Sequence, residues 1–224
     1  MYFLSVPSAK PTDEAAICDV LSEPRSRTYI TAVGGDKAKA MALYGWNARI
    51  AAAFMLPSHF AEVATRNAAS EALTAIYGPQ WPWNTTFAQS LPSPAAPTYN
   101  PKRDLLAVRS QHRTTGKVVA ELKFAFWQSM FTARHDVRVW DPHILTLFPN
   151  ALGLTPRQLR SRIYTDLEVI RKLRNRIAHH EPIFARNLND DLMRILELIE
   201  LRSTPTIDWV LAMEDASAIL IERP

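Results

Sequence analysis

The chain has 224 residues, of which 47% are hydrophobic and 21% are charged, and its formal net charge is +4. This mixture supports one sizeable core and excludes a disordered chain, and the single cysteine, Cys18, excludes both a disulfide-stapled domain and a four-cysteine zinc site. No apolar run approaches the roughly 20 residues that a membrane span needs, and the first residues lack a signal-peptide pattern, so we expect a soluble, cytoplasmic protein with no membrane partner.

The first half of the chain is predicted to be helical, because its apolar residues recur at a spacing near 3.6 and no alternating strand pattern is present. One helix is expected to begin at about Asp36, a favourable N-cap that follows two glycines, and to end at about Leu56. Pro57 then interrupts the pattern, and a second helix is expected from about Ser58 to Tyr77.

A proline-rich segment, 79–101, divides the chain, and its six prolines predict a long surface loop between helices. Beyond it, residues 102–113 are suited to a basic helix, and residues 117–132 are apolar nearly all round, which predicts a buried central helix. The longest predicted helix, which we call the motif helix, covers about 156–181. Its leucines and isoleucines form one apolar stripe, and a similar stripe over 188–199 predicts the next helix.

Together these elements predict an all-α fold, a helical bundle. We place an N-terminal segment that extends the bundle at 1–22 and a single domain at 23–224. Four aromatic residues are expected in the core or in a dimer interface: Trp46, Phe124, Phe126 and Trp127.

The positive charge is concentrated in two segments. Residues 157–176 contain seven basic groups against two acidic ones, a local charge of +5, and residues 102–117 contain five against one, a local charge of +4. The rest of the chain therefore has a charge of −5. Two basic segments on an acidic body indicate a surface for a polyanion such as RNA, with Arg171, Lys172 and Arg176 as phosphate contacts, and ordinary solvated helix faces are the alternative.

The most informative stretch is LRNRIAHHEPIF, in which Arg174, Asn175 and His179 form the pattern R-N-x-x-x-H. On a helix Asn175 and His179 share one face, and the long side chain of Arg174 can swing towards it. Pro182 cannot continue a helix, so the histidine lies at a helix C-terminus, where the macrodipole favours the imidazolium. A guanidinium that binds phosphate oxygens beside an imidazole that moves protons suits phosphodiester chemistry.

The adjacent histidines His179 and His180 also have a structural interpretation, which is to cap the helix end and pack there. His180 is a candidate supporting residue of the site and the better candidate for a cap. A metal site is a poorer interpretation, because the two histidines point to different faces and only Glu181 is nearby. We therefore expect neither a metal nor a cofactor.

A second polar cluster, formed by Glu62, Arg66 and Asn67, lies on an alanine-rich helix. Glu62 and Arg66 are four residues apart and can simply pair on the helix surface. Alternatively, Arg66 or Asn67 faces the cleft beside His179, and the cluster supports the site.

Five stretches of the chain are informative when they are taken together: RNRIAHHEPIF, ALYGWNARIAAAF, HFAEVATRNAASEAL, GKVVAELKFAFWQSMF and TIDWVLAMEDASAILIERP. Together they resemble the signature, the W-N and E-x-x-x-R-N helices, the buried aromatic helix and the C-terminal helices of the abortive-infection (Abi-like) family of the HEPN superfamily. The resemblance covers the chain from about residue 20 to the end. Ala125 departs from it, because a glycine is common there.

The resemblance implies an all-helical bundle of the HEPN type that forms a homodimer and cleaves RNA without a metal. Arg174 and His179 would be the catalytic pair, and Asn175 would orient them. The ribose 2′-hydroxyl would attack the adjacent phosphate and leave a 2′,3′-cyclic phosphate and a 5′-hydroxyl. The cleft would form where the motif helices of two protomers meet.

We therefore expect an endoribonuclease of the toxin or phage-defence type, with RNA as its substrate and with an antitoxin, either protein or RNA, as a further partner. The alternative is a non-catalytic helical module for RNA binding or protein interaction, in which the motif is structural. A more distant alternative is a nucleotide-binding regulatory subunit that partners a nucleotidyltransferase, as some HEPN proteins do.

Overall fold

The structure is a computed structural model that describes residues 14–224. Every regular element in that range is a helix, so the predicted all-α class is confirmed. None of the described helices combines the length and the apolar character that a bilayer span requires. In chain order the α-helices are α1 (Glu14–Leu21), α2 (Glu23–Ala32), α3 (Lys37–Tyr77), α4 (Thr85–Ser90), α5 (Pro101–Gln111), α6 (Thr115–Glu121), α7 (Phe124–Met130), α8 (Asp141–Leu147), α9 (Pro156–Ala178), α10 (Leu188–Arg202), α11 (Thr204–Leu211) and α12 (Ala216–Ile221).

Two compact units divide the described residues. One contains the residues up to Ala53 together with Asp215–Pro224, and the other contains Phe54–Glu214. All residues predicted for the functional site lie in the second unit. The predicted domain limits, a segment 1–22 and a domain 23–224, remain a prediction, and the first thirteen residues lie outside the described part of the chain.

In the first unit, the beginning of α3 packs with the C-terminal helix α12. Trp46 on α3 is buried as predicted, and its indole N–H donates a hydrogen bond to the carbonyl of Ile219 at 2.7 Å. Arg49, one turn further along α3, forms an ion pair with Glu222 at 2.7 Å. These contacts fix the end of the chain against a helix that begins near residue 37.

Helix α3 continues without a break through Pro57, so the predicted interruption there is wrong. Its predicted start is confirmed, because the carboxylate of Asp36 accepts a hydrogen bond from the backbone N–H of Lys39 at 3.0 Å. Pro57 removes one backbone hydrogen bond from the helix, yet it is buried, as are Phe54 and Ala61 on either side. Burial of this continuous face therefore outweighs the local penalty of the proline.

The proline-rich segment 79–101 is not the continuous loop that its composition predicts. It contains a 3-10 turn at Trp81–Trp83 and the short helix α4, whose N-cap Asn84 accepts a hydrogen bond from the N–H of Phe87 at 3.0 Å. The ring of Trp81 is fully buried and packs edge-on against Phe87 at 5.3 Å. Prolines are tolerated in the first turn of a helix, because the N–H that they lack would have no partner there. The prolines therefore do not prevent helical turns in this segment, and burial of the aromatic rings determines its conformation.

Residues 117–132 form parts of two helices, α6 and α7, and the prediction of one central helix is wrong. Leu122 and Lys123 have extended backbone between the two helices, and Leu122 is buried. Phe126 and Trp127 of α7 are buried as predicted. The apolar run therefore predicts correctly that these residues are buried. It does not predict their backbone conformation, because a leucine in an extended link is buried as well as a leucine in a helix.

The motif helix is α9, and a capping box fixes its first turn: Thr155 and Gln158 exchange hydrogen bonds between side chain and backbone. The predicted apolar stripe is buried at five of its six positions, and only the last, Ile177, is half-buried. The buried residues are Leu159, Ile163, Leu167, Ile170 and Leu173. The helix after it, α10, also matches its predicted position. Arg194 of α10 donates a hydrogen bond to the buried carboxylate of Asp166 on α9 at 2.6 Å, which joins the two helices.

Helix α9 ends at Ala178, three residues before its predicted end, in a Schellman motif. His180 has a φ of 54°, its N–H bonds to the carbonyl of Ile177 at 3.0 Å, and the N–H of Glu181 bonds to the carbonyl of Arg176 at 2.8 Å. Residues with a left-handed backbone terminate a helix, so the end falls before His180 rather than at Pro182.

A 3-10 turn, Ala133–His135, and a π-helix, Asp136–Trp140, lead into α8 in a stretch for which the sequence predicts no element. The His135 side chain is only 6% exposed. Burial and the neighbouring charge of Arg134 lower the pKa of His135 to about 4, against the opposing effect of the Asp136 carboxylate. The imidazole is therefore neutral in the folded protein at neutral pH.

We expect His135 to make the folded protein sensitive to acid. Its pKa is about 4 when folded and about 6.5 when exposed, so the unfolded chain binds more protons between these values and the free energy of unfolding falls as the pH is lowered through them. At pH 5 this single group removes about 2 kcal/mol of the stability present at pH 7.

Urea unfolding at pH 7, 6 and 5 measures this loss. The variant His135→Gln has no group that titrates in the window, so its stability should fall less over the same range. An equal loss in both proteins would show that His135 is not the acid-sensitive group.

Candidate functional site

Arg174 lies on the penultimate turn of α9, next to the buried stripe, and contacts two other helices. Its Nη1 atom is 2.5 Å from Oε2 of Glu62 on α3, and its guanidinium carbon is 5.4 Å from the centre of the Phe124 ring on α7. The side chains of Arg174 and Glu62 are 29% and 17% exposed. Three helices therefore hold this guanidinium in one orientation.

The same guanidinium retains hydrogen-bonding capacity. The Nε atom of Arg174 is buried and has no hydrogen-bond partner within the described residues. An arginine has five N–H donors in a planar fork, and the ion pair with Glu62 uses one end of that fork. The Nη2 group makes no hydrogen bond within the described residues and is not buried, so it is the donor that an approaching oxyanion can reach, whereas Nε is enclosed.

Arg66 lies one turn beyond Glu62 on α3, but the two residues do not pair, because Glu62 binds Arg174 instead. Within the described chain, Arg66 makes no hydrogen bond or ion pair, and its Nε is buried. Residues four apart on a helix share a face, so Arg66 lies on the face of α3 that contains Glu62. The site thus contains two guanidinium groups and one carboxylate.

Asn67 is not brought to this site. It is exposed and lines a surface cavity of about 430 Å³ together with Phe60, Ile199 and Arg202, which belong to α3 and α10. One residue further along a helix rotates a side chain by about 100°, so Asn67 lies on a different face from Arg66. Of the two residues predicted as candidates to face the cleft, Arg66 lies on the face of α3 that contains Glu62, and Asn67 does not.

Asn175 and His179 lie at the exposed end of α9. The backbone N–H of His179, the C-cap residue, donates to the carbonyl of Asn175 at 3.0 Å. Both side chains are exposed, and the imidazole of His179 makes no hydrogen bond or ion pair within residues 14–224. The structure therefore places an exposed His179 at the end of the helix that contains Arg174, and no hydrogen bond joins the two side chains.

His180 has a defined structural role. It is the left-handed residue of the Schellman motif, and its side chain is exposed. The expectation that one of the two histidines terminates the helix is thus met by His180, and His179 is the histidine whose side chain is available for chemistry.

The three predicted RNA contacts on α9 are engaged with other groups of the chain. Arg176 donates from Nε and Nη2 to the carbonyl of Pro182 at 3.1 and 2.6 Å. Arg171 binds the carboxylate of Glu168, and Lys172 binds it from the other side at 3.2 Å. Lys172 is 62% exposed and is the most accessible of the three cations.

Each of the seven basic residues of 157–176 has an acidic partner. Four partners come from other helices of the chain, so counting charges along the segment overstates its positive potential. The pairs are Arg157–Asp141, Arg160–Asp136, Arg162–Glu197, Arg171–Glu168, Lys172–Glu168, Arg174–Glu62 and Arg176–Glu181.

In the second basic segment, 102–117, the cations are not paired with acids of the described part of the chain. The predicted basic helix is found as α5, and the one acid of the segment, Asp104, accepts a hydrogen bond from Tyr99 at 2.5 Å and pairs with Lys123 at 3.7 Å. The five cations of the segment have no acidic partner within the described residues, and three of them are exposed: Arg103, Arg113 and Lys117. Unpaired positive charge therefore lies on α5, on α6 and on the short link between them.

Comparisons of the chain with protein-family models, with curated proteins and with solved structures found no match. Within residues 14–224, no group of three or more histidine, cysteine, aspartate or glutamate side chains is placed to hold a metal ion. The geometry of Arg174 and its neighbours is therefore the basis for assigning chemistry to the site.

Sequence reasoning misses two partners of Arg174. Phe124 is expected in the core or in a dimer interface, but it is half-buried and its ring faces the guanidinium. The expected pairing of Glu62 with Arg66 is wrong, because Glu62 binds Arg174. Neither contact has a signal in local spacing, because the two partners lie on α7 and α3, far from Arg174 in sequence.

We expect Glu62 and Arg174 to be energetically coupled. A double-mutant cycle with Glu62→Gln and Arg174→Gln, measured by urea unfolding, should give a coupling free energy of about 1–3 kcal/mol, because both groups are largely removed from water. The exposed pair Arg49 and Glu222 is the matched control and should give less than about 1 kcal/mol. Equal coupling in the two pairs would mean that Glu62 does not hold Arg174.

Proposed function

We propose that this protein is a metal-independent endoribonuclease of the Abi-like HEPN type, in which Arg174 binds the scissile phosphate and His179 moves protons. The observation that supports it is the fixed guanidinium of Arg174, with free donors, on the helix that ends in the exposed imidazole of His179. The family assignment rests on the sequence resemblance alone.

The reaction needs two proton transfers and no redox step. The ribose 2′-oxygen loses its proton and forms a bond to phosphorus, and the bond from phosphorus to the 5′-oxygen of the next nucleotide breaks. The 5′-oxygen takes up a proton, which leaves a 2′,3′-cyclic phosphate and a 5′-hydroxyl. His179 is the proton-transfer group, and Arg174 stabilises the charge that develops on the phosphate oxygens.

Glu62 and Arg66 act as positioning residues in this proposal. Glu62 holds one end of the Arg174 fork, which orients the remaining donors. Arg66 adds a second positive charge on the same face of α3 and compensates the Glu62 carboxylate. The three side chains together have a net charge of +1, which matches the single negative charge of a phosphodiester.

RNA contacts outside the site come mainly from α5 and α6, because the exposed cations Arg103, Arg113 and Lys117 have no acidic partner to displace. Lys172 contributes from α9, since it is the most accessible of the three predicted RNA contacts on that helix. In keeping with the resemblance, we propose that the protein acts as a homodimer of the toxin or phage-defence type that an antitoxin restrains.

A second candidate function is a non-catalytic helical module that binds RNA or another protein. The pairing of every cation of α9 favours it, since Arg174 and Arg176 then serve to join α9 to Glu62 and to the turn at Pro182. The two candidates are distinguished by whether RNA is cut or only bound in the presence of EDTA.

We expect His179→Ala and Arg174→Ala each to slow RNA cleavage by about 10²–10⁴-fold, because one removes the proton-transfer group and the other removes the charge stabilisation. Both residues act on one transition state, so the double variant should be little slower than either single variant. Single-turnover cleavage of a labelled RNA in EDTA, with mapping of the 5′ ends, measures these rates.

Two further histidine variants are the controls. His180→Gly keeps the left-handed turn and should have a mild effect, and His143→Ala removes a histidine outside the motif and should have none. Thermal unfolding verifies that each variant is folded. Wild-type cleavage by folded His179→Ala would refute the catalytic mechanism and favour the structural module.

We also expect RNA affinity to fall steeply with salt, and the slope to depend on α5 and α6. Replacing Arg103, Arg113 and Lys117 together by Gln should reduce the slope of log affinity against log salt by about 2, at roughly 0.7 per lost contact with a single strand. The matched change at three paired cations of α9, Arg171, Lys172 and Arg176, should reduce it by less. Fluorescence anisotropy at salt concentrations from about 50 to about 200 mM measures the salt slopes of the two triple variants. A larger reduction of the slope in the α9 variant would place the interface on α9.

A further inference from the structure

A surface cavity of about 380 Å³ lies in the second unit, between the end of α3, the end of α4 and the stretch 134–139. It is lined by Tyr77, Ser90, Arg134, His135, Arg138 and two valines. A volume of this size is in the range of small-molecule sites. The cavity shares no lining residue with the Arg174 site, so a ligand bound in it would be independent of the proposed ribonuclease chemistry.

The charged groups at the cavity are all positive. Arg134 and Arg138 are exposed and have no acidic partner within the described chain. Arg138 donates a long hydrogen bond, of 3.5 Å, to the hydroxyl of Tyr77. The nearest acid in sequence, Asp136, accepts a hydrogen bond at 2.8 Å from Arg160 and does not line the cavity. Two cations thus face one cavity without a countercharge.

The wall of the cavity contains a largely buried imidazole whose nitrogens are not themselves buried. His135 is 6% exposed, its ring lines the cavity, and its imidazole makes no hydrogen bond or ion pair within the described residues. Because burial and Arg134 lower its pKa to about 4, the ring is neutral and has one N–H to donate. Because the ring lines the cavity and its nitrogens are accessible, this N–H can donate a hydrogen bond to a ligand atom that enters the cavity.

We propose that this cavity binds the phosphate group of a small phosphate monoester, held by the guanidinium groups of Arg134 and Arg138, the imidazole N–H of His135 and the hydroxyl of Tyr77. Two arginine forks and a neutral N–H match the three acceptor oxygens of a monoester phosphate. The exposed Val137 and the buried Val139 provide an apolar wall for the organic part of the ligand.

Isothermal titration calorimetry of the full chain with ribose 5-phosphate and with inorganic phosphate tests the proposal, with ribose as the control that lacks the phosphate. We expect both phosphates to bind and ribose not to bind. Arg134→Gln and Arg138→Gln should each weaken binding about tenfold or more, because each removes a charge-assisted hydrogen bond. Arg49→Gln makes the same change in charge in the other unit and should leave the affinity unchanged.

Both arginines are exposed, so their variants are expected to fold, and thermal unfolding verifies this. His135→Gln should also weaken binding of ribose 5-phosphate. Equal affinity in wild type and in the double variant of Arg134 and Arg138 would overturn the proposal. Binding of a 5′-phosphorylated oligonucleotide without any binding of ribose 5-phosphate would also overturn it, since the phosphate would then belong to a nucleic acid.

Discussion

The apolar stripe of α9 is buried from Leu159 to Leu173, and this burial brings four of the seven cations of the same segment within ion-pair distance of acids on neighbouring elements. A guanidinium that is partly removed from water requires a countercharge, because an unpaired buried charge is costly. Acids of four other elements meet this requirement: Glu62 on α3, Asp136 in the π-helix, Asp141 on α8 and Glu197 on α10. The ion pairs thereby join α9 to most of the second unit and, at its last turns, determine the orientation of Arg174.

This compensation changes where a polyanion can bind. A phosphate that binds a paired arginine competes with a carboxylate already in place, so the gain in free energy is reduced by the pair that is lost or weakened. An unpaired, exposed cation such as Arg113 or Lys117 has only water to displace. The segment with the larger linear charge is therefore the poorer general surface for a polyanion, and in the proposed function α9 contributes one specific contact rather than a broad basic face.

Local rules predict the features that depend on local spacing. The all-α class, the cap at Asp36 and the buried stripe of α9 follow from periodicity and from capping chemistry. The continuity of α3 through Pro57 does not follow, because burial of a long face outweighs one missing hydrogen bond. The contacts of Arg174 cannot be predicted from spacing, since its partners on α3 and α7 meet it only in the folded chain.

The charge balance around Arg174 makes one arrangement compatible with both a structural role and the proposed chemical one. Glu62 uses one end of the guanidinium fork, so a phosphate oxygen can bind the other donors without breaking the ion pair. Without Arg66 the pair would be neutral and would attract a phosphodiester weakly; the unpaired charge of Arg66 on the same face restores a net charge of +1. The Phe124 ring limits movement of the guanidinium from one side, and such preorganisation is what electrostatic stabilisation of a transition state requires. A purely structural pair needs Glu62 and Arg174 alone, so the unsatisfied Arg66 is the feature that the structural interpretation leaves unexplained.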